Sequence, residues 1–293
     1  MGHDSQGVRI VFARSLIACL GLLLIAAAAV RADDADPSFI ESLRGRLELG
    51  WSARSDVLSS LSVLSGVLSV DKEFSNGFGA GVDWGFFLAH ESPATEAAGR
   101  WAHGPGNPWF KVWHESELGP STRLCVAVGV TFPAAWLPRD ATRRGLLRNG
   151  YAFGAATRGL WNAWLWAPQQ IALAAAGRLV HELSAHVRVA AEAGLGGSLS
   201  MGQFTRDLGA FYAQLAPSIE LRGELLVAGL RVQAVLTDAH PDPLQLSSQA
   251  YLRFERAHWQ LEAAGLCNLD EPLGVLGTGL SVCSALLSIG AQP

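Results

Sequence analysis

The sequence predicts an all-β protein, an antiparallel up-and-down transmembrane β-barrel of about twelve strands, with ten as the alternative count. Three observations carry this. Apolar and polar residues alternate in runs of about ten, the length of a tilted strand crossing a bilayer, whereas globular strands average about five or six. The polar parity mixes Gly, Ala and Ser with Arg and Glu, which suits a narrow lumen better than a solvated surface. The 293 residues include 32 glycines and 10 tryptophans but only 16% charged residues. That is too little charge for a water-facing surface and too many bulky aromatics for one ordinary core.

Residues 1–32 read as a cleavable signal peptide, with an uncleaved anchor as the alternative. Arg9 and Arg14 precede an apolar core from Ser15 to Val30, and "VRA" before Asp33 supplies the small residues that cleavage after Ala32 needs. "LIAC" (Leu16 to Cys19) has the look of a lipoprotein box, but the apolar core follows Cys19, so lipidation is not expected. Residues 33–42 are expected to form a short periplasmic segment, and 43–290 the barrel. A net charge of −4 points to no nucleic-acid partner. After the signal, no stretch reaches the roughly eighteen apolar residues of a spanning helix; Ile171 to Gly177 comes nearest. Beyond the signal, Cys125, Cys267 and Cys283 are odd in number and widely spaced, which suggests no disulfide framework.

The alternation opens at "RGRLELGWSAR" (Arg44 to Arg54), with Leu47, Leu49 and Trp51 against Arg46, Glu48 and Ser52. It returns with Phe78, Val82, Trp84 and Phe86 against Gly79, Gly81 and Asp83, then with Val126, Val128 and Val130 against Cys125, Ala127 and Gly129. Val187, Val189 and Leu195 oppose Arg188 and Glu192; Leu215, Ile219 and Leu221 oppose Glu220 and Arg222; Leu252 and Phe254 oppose Arg253 and Glu255. Trp259 and Leu261 oppose Gln260 and Glu262. "VHELSAHVRVAAEA" (Val180 to Ala193) holds good helix formers, yet its alternation argues for a hairpin. "VLSSLSVLSGVLSV" (Val57 to Val70) alternates poorly.

Tight connections fall near Gly119-Pro120, Leu183-Ser184, Arg222-Gly223 and Arg256-Ala257, and long ones at about 91–107, 133–169, 197–210, 237–244 and 270–275. Such barrels have short periplasmic turns and long outer loops. The final run, about 276–289, then descends, and parity requires one descending strand within 58–71. The total becomes twelve.

Several groups invite a chemical reading. In "HELSAH" the histidines His181 and His186 are five apart, whereas a zinc-protease helix needs them four apart, so no metal is expected. His114 and Ser116 in "WHESE" raise a lipid hydrolase, without an identifiable third member or oxyanion hole; polar lumen residues beside a turn are the simpler reading. Asp238, His240 and Asp242 offer oxygen and imidazole ligands for a cation, but a Pro-rich outer loop of the common kind is the simpler reading. The polar-parity charges Arg178, Glu182, Arg188, Glu192, Glu220, Arg222, Arg231, Arg253, Glu255 and Glu262 are expected to line the lumen. They form either a salt-bridged filling or a constriction that selects what passes, and near balance of sign favours the filling. The segment Pro133 to Pro168 is too long for an idle connection and suggests a helix from Ala141 to Arg158. Its Trp161, Trp164 and Trp166, with Trp51, Trp84, Trp109 and Trp259, are explained most simply as an interfacial girdle. The sharper alternative is an apolar site formed by the loop tryptophans at the barrel mouth.

"GNPWFKVWHESELGPSTRLCVAVGVTFPAA" (Gly106 to Ala135) resembles a hairpin of outer-membrane proteins of the phenol-degradation meta-pathway type. "GNP" stands where that family usually has Gly-Asp, and "FPAA" at its Leu-Pro-Thr-Gly-like corner. The resemblance covers about thirty residues. It implies a barrel of this size and uptake of apolar small molecules, and brings no catalytic residues.

The expected protein is therefore a Gram-negative outer-membrane barrel without cofactor, a passive channel or transporter for small apolar solutes. Its expected partners are outer-membrane lipid, the barrel-assembly machinery and that solute. A non-conducting structural or surface-interaction barrel and a membrane-embedded lipid hydrolase are the alternatives. The chain ends "SALLSIGAQP", without the terminal aromatic that assembly machinery usually reads.

Overall fold

The computed structural model describes residues 43–55, 59–74, 77–93, 99–201, 209–238, 243–270 and 282–291. The expected signal peptide and the 33–42 segment lie outside them. Twelve antiparallel strands close a barrel in sequence order. They are β1 (Leu43–Ser55), β2 (Ser59–Glu73), β3 (Phe78–Pro93), β4 (Arg100–Gly119), β5 (Thr122–Thr131) and β6 (Gln170–Glu182). They continue with β7 (Val187–Ser200), β8 (Gly209–Arg222), β9 (Leu226–Thr237), β10 (Leu244–Arg256), β11 (Trp259–Asn268) and β12 (Cys283–Ala291). β1 pairs with both β2 and β12, so no sheet edge is left open.

The register fixes which parity faces where. Trp51 sits opposite Leu64, Val82 opposite Phe110, Leu195 opposite Ala213, Leu230 opposite Ala250 and Leu261 opposite Ile289. These apolar rows look outward, and Leu195, Leu230 and Leu252 are 57%, 60% and 54% exposed. Leaving a leucine in water forgoes about 1.5–3 kcal/mol of burial. A wall of them is stable only against acyl chains. The opposite parity pairs Arg178 with Glu192, Arg188 with Glu220 and Arg253 with Glu262, all inward. The protein is a transmembrane β-barrel, with the core of a soluble sandwich turned inside out. Among the described residues no helix is long and apolar enough to cross a membrane.

Four sequence expectations are corrected. The connection expected at 91–107 is mostly strand, because β3 runs to Pro93 and β4 starts at Arg100, with a register shift between Trp84 and Phe86. The last strand is Cys283–Ala291 and not 276–289. Cys267 and Cys283 are direct partners in the β11–β12 ladder, with Cα atoms 4.2 Å apart, and form a disulfide; Cys125 is free. Spacing along the chain hid this pairing, which only adjacency of the last two strands creates. Trp109, Trp164 and Trp166 are no part of a girdle, being 3%, 0% and 3% exposed inside the barrel, whereas Trp51, Trp84, Trp101, Trp136 and Trp259 are exposed.

Candidate functional site

The lumen is filled by the segment between β5 and β6. Its helix α1 (Ala141–Ala156) begins at Asp140, whose carboxylate accepts the Arg143 N–H at 2.7 Å, the usual cap for an orphan donor. One face carries Leu146, Leu147, Tyr151, Phe153 and Ala155, all buried. This face packs on inward residues of the wall: Leu61, Val63 and Val67 of β2, Phe87 and Ala89 of β3, and Ala102 of β4. Phe87 and Tyr151 meet edge to face at 4.8 Å between centroids. Gly150 permits the approach, since a methyl there would overlap the Phe87 ring. Burial pushes the Tyr151 phenol up to about 12, so it remains a neutral donor, and it bonds the Pro105 carbonyl at 3.0 Å.

After the helix the chain turns back through left-handed conformations at Gly159, Leu160 and Asn162, with φ of 63°, 61° and 54°. Such a conformation costs a non-glycine residue about 1–3 kcal/mol, so Leu160 and Asn162 must be held by their surroundings. Asn162 and Gln214 supply one clamp: the Asn162 N–H donates to Gln214 Oε1 at 2.9 Å, and Gln214 Nε2 donates to Asn162 Oδ1 at 2.8 Å. A 3-10 turn over Ala163–Leu165 follows, placing Trp164 edge-on to Trp109 and Tyr212.

Buried Asn107 of β4 staples both arms of this plug to the wall. Its Oδ1 accepts the Ala135 N–H at 2.9 Å, and its Nδ2 donates to the carbonyls of Trp164 at 3.2 Å and Ala167 at 2.6 Å. An aspartate could not make the latter two bonds. On other walls Ser65 bonds Thr157 at 2.6 Å and Asn268 donates to the Ala156 carbonyl at 3.1 Å. The plug is thus attached on β2, β4, β8 and β11.

The expected loop helix exists, two residues shorter than expected. The tryptophans do not form an apolar site at the mouth. Trp164 and Trp166 are buried in the plug, and Trp161 faces a polar cavity with the Arg231 guanidinium 4.5 Å from its ring centroid. These side chains have apolar walls available inside the barrel, so interior packing outcompetes the interface.

Beneath the plug, the ten polar-parity charges, Glu182 among them, stand on the strand parity opposite to the outward apolar rows. Six form a closed ring. Arg188 Nε lies 2.8 Å from Glu182 and its Nη1 3.2 Å from Glu220; Arg253 lies 3.1 Å from Glu220 and 2.7 Å from Glu255; Arg222 lies 3.5 Å from both Glu255 and Glu182. Tyr251 donates to Glu220 at 2.7 Å. Isolated charges in a confined space are expensive, and this ring leaves none of the six isolated. Glu262 extends it from Arg253 to Arg46, at 3.3 and 3.8 Å, and Arg178, Glu192 and Arg231 form a separate group. The ring lies beside the tight turns after β6, β8 and β10 and narrows that end.

Between ring and plug is a polar cavity of about 310 Å³, bordered by Asp71, Asp83, Lys111, Arg158, Trp161, Glu192 and Arg231, among others. A second lobe of about 320 Å³ shares Asp71, Asp83, Lys111, Trp161, Asn162 and Glu192 and adds Arg178. Sequence reasoning missed Asp71, Lys111, Arg158 and Asn107. Asp83, Arg46 and Glu48 were visible as polar-parity residues but not counted among the lumen charges.

The other chemical candidates do not assemble. His114 and Ser116 face outward, and His114 stacks on Phe78 at 4.3 Å, so they are not lumen residues; Phe78 fixes the parity. His181 contacts Thr122 and His186 the Arg222 carbonyl, on opposite sides of a turn. Asp238 accepts from the Phe211 N–H at 2.6 Å, while His240 and Asp242 lie outside the described residues. Among the described residues no group of His, Cys, Asp or Glu is placed to hold a metal ion.

No family profile and no curated protein matches the chain. Solved structures do. An outer membrane channel from Pseudomonas putida F1 aligns with a TM-score of 0.57 at 12% identity, covering 89% of this chain and 98% of that one. The NanC porin aligns at 0.47 with 8% identity over 84% and 100%, and the CymD monoaromatic hydrocarbon channel at 0.43 with 10% identity over 86% and 88%. What the chain shares with the first of these is the fold, a closed antiparallel β-barrel.

Proposed function

We propose that the protein is a gated passive channel of the Gram-negative outer membrane, and that the segment 132–169 is its gate. One observation carries this reading: a long segment enters a closed barrel and is pinned to several walls by polar side chains, above a cavity bordered by charge. A purely structural barrel needs no polar chamber between two closures. Outer-membrane lipid is the surrounding solvent, and the barrel-assembly machinery its route of insertion. The cavity wall suits a small polar solute better than the apolar one that the family resemblance implies.

The test is conductance in planar bilayers. The whole chain should show rare, brief openings. Replacing residues 138–166 by a short Gly/Ser linker should give a large, steady conductance. A bilayer record that stays flat after this excision, with barrel insertion verified by a heat-dependent gel shift, would remove the channel reading. The non-conducting barrel would then stand, favoured by the dry packing of α1 on β2–β4.

A further inference from the structure

The two charge groups bordering the cavity are unbalanced in opposite directions. On one wall Lys111 of β4 is shared by two carboxylates, Asp71 of β2 at 3.2 Å and Asp83 of β3 at 3.0 Å, leaving one negative charge in surplus. On another wall Glu192 of β7 is shared by two guanidiniums, Arg178 of β6 at 3.5 Å and Arg231 of β9 at 2.9 Å, leaving one positive charge in surplus. The remaining charged lining residues, Arg46, Arg158, Glu48 and Glu262, cancel. The cavity is neutral as a whole but polarised across the barrel.

An unused hydrogen-bonding atom accompanies the second group: Arg231 Nε has no partner. Gln233, only 3% exposed and bordering the same cavity, has an unpartnered Oε1. A buried polar atom without a partner is costly, and a ligand or water that supplies the missing bond is favoured.

We infer that this cavity is a binding site for a small zwitterion, with its ammonium group at Asp71 and Asp83 and its carboxylate at Arg178 and Arg231. Ligand sites run from about 300 Å³ upward, so the space suits a small solute. A monovalent ion meets one favourable wall and one repulsive wall. A zwitterion of the right length meets two favourable ones. The ring of three arginines and three glutamates below and the plug above enclose this position, which makes it the resting site of a solute in transit. This last step rests on the channel reading; the binding site itself does not.

Isothermal titration calorimetry on the whole chain in detergent micelles tests the site. The probes are straight-chain ω-amino acids from glycine to 6-aminohexanoate, with butylamine and butyrate as single-charge controls. One chain length should bind best, at least about tenfold tighter than either control, because charge-assisted hydrogen bonds form at both ends. Asp83→Asn and Arg231→Gln should each remove that preference, and Arg231→Lys should retain most of it. Heat-dependent gel shifts identify variants that fold. Equal affinity for all probes, or no heat at saturating concentrations, overturns the proposal even if the plug-excised barrel conducts. Zwitterion binding by a barrel that never conducts would uphold the site and remove the channel reading alone.

Discussion

Arg158 of the plug and Glu48 of β1 form an ion pair, with Nη2 and Oε1 2.6 Å apart. Glu48 also lies 3.1 Å from Arg46, which reaches Glu262 and through it Arg253 of the ring. The plug is therefore joined to the narrow end of the lumen by one continuous line of charge.

Arg158→Gln should loosen the plug. Breaking a buried pair costs about 3–5 kcal/mol, and the low end applies because Arg46 still faces Glu48. Single-channel records should show more frequent openings, and the double variant Arg158→Gln with Glu48→Gln should recover part of the lost thermal stability. Unchanged opening frequency in both would mean the pair does not hold the gate.

Asn107→Asp tests the staple. The substitution keeps size and acceptor but removes two donated bonds and introduces a buried charge, each a loss of about 1–3 kcal/mol or more. Proteolysis of the folded barrel should then cleave within 132–169, where the parent chain resists.

The two faces of the wall should respond oppositely to charge. Leu215→Arg places a cation on the lipid side of β8 at an exposed position and should cost roughly 2–4 kcal/mol near the midplane. Ser69→Arg, which places the same cation in the polar cavity at the ladder position opposite Asp83, should cost far less. Equal losses in urea unfolding from detergent or lipid would contradict the parity.

The disulfide closes a separation of 16 residues. On loop entropy alone such a closure contributes about 3 kcal/mol. Cys267→Ser with Cys283→Ser should therefore lower the melting temperature and abolish its sensitivity to reductant, leaving conductance unchanged.

Much of the barrel was legible because lipid and lumen impose a period of two on every strand. Arg188, Glu220 and Arg253 could be assigned to the lumen from parity alone. β2 was obscured because Leu61, Val63 and Val67 face inward to meet α1, so both of its faces are apolar there. The same interior core explains the misplaced tryptophans: an indole reads alike whether it anchors at an interface or packs under a plug. Asn107 was present in the quoted "GNP", but its role depends on carbonyls of Trp164 and Ala167, some sixty residues away. The Cys267–Cys283 bond was hidden for a related reason, since ladder register is not written in spacing.

The most direct measurement tethers the plug to the wall. In a chain with Cys125, Cys267 and Cys283 replaced by serine, Ser65→Cys and Thr157→Cys put two thiols where hydroxyls now meet at 2.6 Å. The cross-link should form on oxidation and abolish all openings in a planar bilayer, and a reductant should restore them. Failure of the thiols to join, or openings indifferent to the tether, would contradict a gate seated inside the barrel.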